Sequence, residues 1–98
     1  MSWKIAKFLE SKNNALLVDG VSAVDLAERF GTPLFVFSEA RIRHNIERLK
    51  KARSVIDCEL KVCYAAKANS NMGILRVVKE SGCDLEVNSG GELWKALE

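Results

Sequence analysis

Lys61-Val62-Cys63-Tyr64-Ala65-Ala66-Lys67-Ala68-Asn69 is an apolar run of strand length that ends on a lysine. Its small and β-branched side chains, closed by Asn69-Ser70-Asn71, suit a parallel strand covered on both faces. The lysine falls at the C-terminal end, where open α/β sheets and β/α barrels gather their chemistry. Period-2 alternation puts Lys61, Cys63, Ala65 and Lys67 on one face and Val62, Tyr64 and Ala66 on the other. An amine above a crowded, poorly hydrated surface loses solvation of its charged form, which lowers its pKa and frees it as a nucleophile towards aldehydes. A lysine that caps the strand and extends to solvent fits the same spacing. On these residues alone, both readings stand.

Downstream, Met72, Ile74, Leu75, Val77 and Val78 mark a helix that Gly82 ends, and Asp84-Leu85-Glu86-Val87-Asn88 alternates as a strand. Ser89-Gly90-Gly91-Glu92 has the form of a capping box opening a further helix, with Leu93, Trp94 and Leu97 as its apolar residues. Strand, helix, strand, helix is the grammar of a parallel α/β sheet. If the two strands are neighbours in a barrel, Lys67 and Glu86 both point inward. A buried amine beside a buried carboxylate is costly unless each satisfies the other or a ligand. The pair therefore reads either as an interior ion pair or as an aldehyde-binding lysine with an acidic orienting neighbour.

Upstream, Leu34-Phe35-Val36-Phe37 reads as a second apolar strand, followed by Ser38 as a helix cap and the stripe Ile42, Ile46, Leu49. His44 lies off that stripe and reads as a solvated or interface residue. Ser22-Ala23-Val24-Asp25 is another capping box. Its helix runs to about Phe30 and stops at Gly31, before Thr32-Pro33. Ala15-Leu16-Leu17-Val18 is a short strand ending at the turn dipeptide Asp19-Gly20. Ser2 to Glu10, with Trp3, Ile5, Ala6, Phe8 and Leu9, reads as a weak amphipathic helix or an extended arm before a turn at Asn13-Asn14.

The 98 residues are 48% hydrophobic and carry 15 basic against 13 acidic side chains, a net charge of +2. The basic residues are scattered, so neither nucleic acid nor an anionic membrane is expected as a partner. No apolar run reaches the ~20 residues of a membrane span, and the N-terminus lacks a signal-peptide core, which points to the cytoplasm. Cys58, Cys63 and Cys83, with His44 as the one histidine, lack the spacing of a zinc site, so no metal is expected. Cys63 and Cys83 read as small core hydrophobes. Two βα units leave apolar faces half covered, and a complete barrel takes about 250 residues, so the 98 residues are expected to be the front of a larger protein, or the one portion of it represented.

Tyr64-Ala65-Ala66-Lys67-Ala68-Asn69 resembles the Tyr-Ala-x-Lys-Ala-Asn motif of the fold-type III pyridoxal-phosphate enzymes, whose lysine is joined to the cofactor aldehyde. Gly31-Thr32-Pro33-Leu34-Phe35-Val36-Phe37 is similar to the Gly-Thr-Pro-Leu-Tyr-Val-Tyr motif of the diaminopimelate decarboxylases, and Ser89-Gly90-Gly91-Glu92-Leu93 matches their Ser-Gly-Gly-Glu-Leu. The likeness runs from Asp19 onward. It implies the first βα units of a (β/α)8 alanine-racemase-like barrel at residues 31–98, incomplete in this length. Residues 1–30 would be an N-terminal arm, strand and helix, the strand belonging to a β domain. It also implies pyridoxal 5'-phosphate as cofactor, Lys67 as the catalytic and cofactor-binding lysine, and Glu86 as a cofactor-site carboxylate where the family has an aspartate. Asn88 stands where the family has an apolar residue. The implied activity is decarboxylation of an amino acid, meso-diaminopimelate to L-lysine, by a homodimer when full-length. Another basic amino-acid decarboxylase, a racemase of the same fold and a non-catalytic cofactor-binding remnant are the alternatives.

Overall fold

A computed structural model describes residues 3–5 and 8–98, with side chains described from Phe8 onward. Two compact units, Met1–Arg41 and Ile42–Glu98, divide the chain within one helix.

The first unit is built on four antiparallel strands in sequence order: β1 (Trp3–Ile5), β2 (Leu9–Lys12), β3 (Ala15–Val18) and β4 (Val21–Ser22). Of the two readings of the leading segment, the extended one holds where it can be described. Ser2, Ala6 and Lys7 lie outside the described residues. Lys12 faces Ala15 and Val18 faces Val21, so each hairpin closes on two residues. Those pairs, Asn13-Asn14 and Asp19-Gly20, all have positive φ (52°, 60°, 51° and 81°), as a type I′ hairpin demands and as Asn, Asp and Gly best tolerate. Helix α1 (Ala23–Phe30) starts on Ser22, whose side chain accepts from the Asp25 amide, and stops at Gly31. Ser38 Oγ accepts the Arg41 amide at 2.9 Å and donates to Asp19 Oδ1 at 2.6 Å, capping α2 (Glu39–Lys50).

Leu34–Phe37 is not a strand. The segment pairs with no other among the described residues, and Phe35 is 88% exposed. Its composition suits a sheet interior, but a strand is defined by its ladder, and composition does not supply a neighbour.

The second unit holds most of α2, then β5 (Cys63–Ala65), α3 (Met72–Glu80), β6 (Asp84–Glu86) and α4 (Gly90–Leu97). β5 and β6 form a parallel pair, with Cys63, Tyr64 and Ala65 opposite Asp84, Leu85 and Glu86. Tyr64 and Leu85 share the face that packs on the core of Ile46, Val78 and Cys83, together with Val62, Ile42 and Ile74. The opposite face carries Cys63, Asp84 and Glu86, all exposed. The expectation of a strand covered on both faces is thus corrected: helices cover one side only. Cys63 is exposed rather than a core residue, whereas Cys83 is buried as expected. Leu49 of the α2 stripe is also exposed, outside the core that takes in Ile42 and Ile46.

Two polar ties join α2 to α3. Arg43 pairs with Glu80 at 2.6 Å, and Lys50 Nζ donates to the Ser81 carbonyl at 3.0 Å, closing the helix C-terminus. Gly82 then turns the chain into β6 with φ +73°, and a Cβ there would approach Lys50 Nζ to 3.0 Å. No helix among the described residues is long and apolar enough to cross a membrane.

Candidate functional site

The parallel register builds the site, because it sets Ala65 level with Glu86 at the C-terminal ends of both strands. Beyond that level β5 stops, and the backbone tightens into a 3₁₀ turn over Ala66–Ala68 that carries Lys67. Lys67 is therefore not a strand residue, and the alternation through Lys61, Cys63 and Ala65 breaks two positions before it. Ala66 is 1% exposed and pins the turn inward, while Lys67 and Ala68 are exposed.

Glu86 is exposed as well, so neither member of the expected pair is buried. No ion pair joins them: the β5–β6 pair is bridged instead by Lys61 Nζ and Asp84 Oδ2, 3.7 Å apart near the start of the strands. The desolvating surface expected beneath Lys67 is likewise not supplied by these residues, since Cys63 on that face is open. What the fold does supply is an accessible primary amine on a fixed turn, two residues beyond the level at which Ala65 faces the Glu86 carboxylate on the next strand.

The turn is held by side chains on both sides. Tyr64 Oη donates to the Asn69 carbonyl at 2.8 Å, bridging the lysine turn from the strand before it to the residue just after it. Asn69 Oδ1 accepts the Asn71 amide at 3.0 Å, and Asn71 Oδ1 accepts the Gly73 amide at 2.9 Å, which starts α3. From α4, Lys95 Nζ reaches Ser70 Oγ at 3.2 Å and the Ser70 carbonyl at 3.4 Å. Sequence reasoning missed Tyr64 and Lys95 in these roles. The spacing of Asn71 from the apolar helix carries an N-cap signal, but nothing local marks a contact across 25 residues.

At the end of β6, Ser89 Oγ accepts the Glu92 amide at 3.1 Å, as a capping box requires. Glu92 reaches back one residue further than the motif prescribes, with Oε2 2.6 Å from the Asn88 amide. Glu92 thereby fixes the segment leaving Glu86. Beneath the site, the Cys83 thiol is pushed above its ordinary value of 9.0, chiefly by burial. It remains a neutral core group. His44 is exposed on α2. Among the described residues, no cluster of His, Cys, Asp or Glu could hold a metal ion.

Comparisons with known proteins agree on one family. The family described as "Pyridoxal-dependent decarboxylase, pyridoxal binding domain" matches residues 39–98. The chain is 44% identical over 82 residues to the diaminopimelate decarboxylase of Methanothermobacter thermautotrophicus, covering 84% of this chain and 19% of that protein. It is also 44% identical over 92 residues to the diaminopimelate decarboxylase of Methanocaldococcus jannaschii, covering 90% and 21%. The crystal structure of the M. jannaschii enzyme in complex with L-lysine superposes with a TM-score of 0.78 at 43% identity, over 91% of this chain and 21% of that one. A crystal structure from Aquifex aeolicus gives a TM-score of 0.84 at 37% identity, over 94% and 22%. The chain thus spans about a fifth of the length of the curated relatives it matches.

Proposed function

The chain belongs to the pyridoxal-dependent decarboxylases, and from that membership we propose that the protein removes a carboxylate from an amino acid, meso-diaminopimelate, to give L-lysine. Pyridoxal 5'-phosphate is its cofactor and Lys67 its point of attachment. The observation that carries the reading is the placement of Lys67, an exposed amine on a pinned turn at the C-terminal ends of two parallel strands. The residues fit the group: no hydrogen bond or ion pair occupies Lys67 among the described residues, so its Nζ is open to an aldehyde.

When bound, pyridoxal phosphate supplies the electron sink for the charge left as carbon dioxide departs. The protein's part is position and proton handling. Lys67 Nζ, on the turn between Tyr64 and Asn69, would hold the cofactor through its aldehyde and, as a free amine, would accept or return a proton. Glu86, level with Ala65, offers a carboxylate on the open face of the strand pair, one methylene longer than the family's aspartate. We assign it to orienting the cofactor or the Lys67 amine. The complex of the M. jannaschii relative with L-lysine supports a lysine-forming reaction over one on ornithine or arginine.

The same reading takes residues 31–98 as the start of a (β/α)8 barrel and residues 1–30 as an arm, strand and helix, the strand joining a β domain. The whole enzyme is read as a cytoplasmic homodimer. The test is reduction of the intact protein with borohydride after incubation with pyridoxal phosphate, followed by peptide mapping and by an assay of carbon dioxide release. Label on Lys67, lost in Lys67→Ala together with about 10²-fold or more of the activity, is the expected result. Label confined to other lysines would overturn the assignment of Lys67. Release from ornithine or arginine in preference to meso-diaminopimelate would overturn the substrate.

A further inference from the structure

Two side chains outside the turn hold consecutive carbonyls just past Lys67. Tyr64, on β5, donates to Asn69, and Lys95, on α4, donates to Ser70 through both backbone and side chain. We propose that Tyr64 and Lys95 are positioning residues for Lys67, fixing the direction in which its amine leaves the turn. This inference rests on the reading of Lys67 as the cofactor lysine.

Besides these ties, the turn is held by Ala66 and, just past it, by Asn69 Oδ1 accepting the Asn71 amide. Ala66 is its one buried residue, and Lys67 and Ala68 are exposed. A 3₁₀ turn of three residues is a weak element by itself, with strained hydrogen bonds and no room to propagate. Its far end must be held from outside if Lys67 Nζ is to meet an aldehyde in one geometry. The Tyr64 ring is half-buried against the core, so its hydroxyl is a rigid post standing on β5. Lys95 is half-buried too, and its amine is committed to Ser70. It therefore reads as a structural donor rather than a second reactive lysine. Together the two ties span the turn from the strand on one side to the last helix on the other. Loss of either donor leaves a carbonyl that water can satisfy, so the fold survives while the turn loosens. A displacement of the order of 1 Å at a reacting group can cost about 10²-fold in rate.

The experiment uses the intact protein with Tyr64→Phe, Lys95→Met and Lys95→Arg, and reads two quantities. One is the rate at which pyridoxal phosphate and cyanoborohydride label the Lys67 peptide. The other is amide hydrogen exchange of the peptide covering residues 66–71 in the absence of cofactor, with peptides from α2 and β6 as internal standards. Expected are a fall of about tenfold in labelling rate for Tyr64→Phe and Lys95→Met, faster exchange confined to residues 66–71, and recovery of both in Lys95→Arg. A kcat loss with KM little changed is expected to accompany them. Wild-type labelling in both donor-deleting variants would overturn the proposal. So would exchange that rises equally in α2 and β6, which marks a merely structural role. If the wild type takes no label on Lys67 while exchange at 66–71 still responds, the reading of Lys67 fails and the ties to the loop remain.

Discussion

At the scale of single residues, Ala66 and Lys67 have opposite fates one position apart. Ala66 has no free surface to grow into, so Ala66→Leu should lower stability by about 1–3 kcal/mol through overpacking, read as a shift in denaturant midpoint. Its neighbour tolerates a change of side chain without loss of fold, which makes Lys67→Ala a clean functional probe. The Cys83 thiol gives a pH signature. Its folded pKa is raised by burial, so between the unfolded and folded values the folded state binds the extra proton. Stability is at its full value below pH 9 and falls as pH rises through the raised value. Denaturant midpoints measured across that range should show the fall, and Cys83→Ala should flatten it. Cys58 and Cys63, both exposed, should react with a thiol reagent well before Cys83 does. The lysine was legible because chemistry concentrates on a residue type at a strand end. Its exposure was not, because burial depends on what lies across from a side chain.

Among the elements, the helices were legible and the strands were legible only in part, and the reason is the range of the forces involved. A cap is decided within three residues. Ser22, Ser38 and Ser89 each accept the amide three positions on, as their spacing implies. Ser22→Ala should therefore cost about 1 kcal/mol, detectable as a lower midpoint in chemical unfolding and as faster amide exchange in the first turn of α1. Asn13-Asn14 and Asp19-Gly20 were equally readable, since positive φ is a local demand. A strand instead depends on partners at a distance. Cys63–Ala65 has β6 and becomes a strand, whereas Leu34–Phe37, the more apolar of the two, has no ladder. The 3₁₀ turn at Lys67 was hidden for the same reason, because its ties come from β5 and from α4.

For the molecule as a whole, apolar surface is the dominant fact. Phe35, Phe37, Leu93, Trp94 and Leu97 leave between 49% and 88% of their surface exposed. The 98 residues made by themselves should self-associate and bind an apolar dye. Phe35→Lys and Leu97→Lys should reduce both, as measured by sedimentation and dye fluorescence. The likeness to relatives of about five times the length agrees with that expectation. The tie between Lys95 and Ser70 carries a further meaning in time. A ribosome adds residues at about 5–20 per second, so the amine that holds Ser70 is polymerised roughly one to five seconds after the loop it secures. Through that interval the nascent chain already displays the lysine motif but has not yet made one of the restraints that orient it, and until α4 is made the Tyr64 tie from β5 holds the loop without its counterpart.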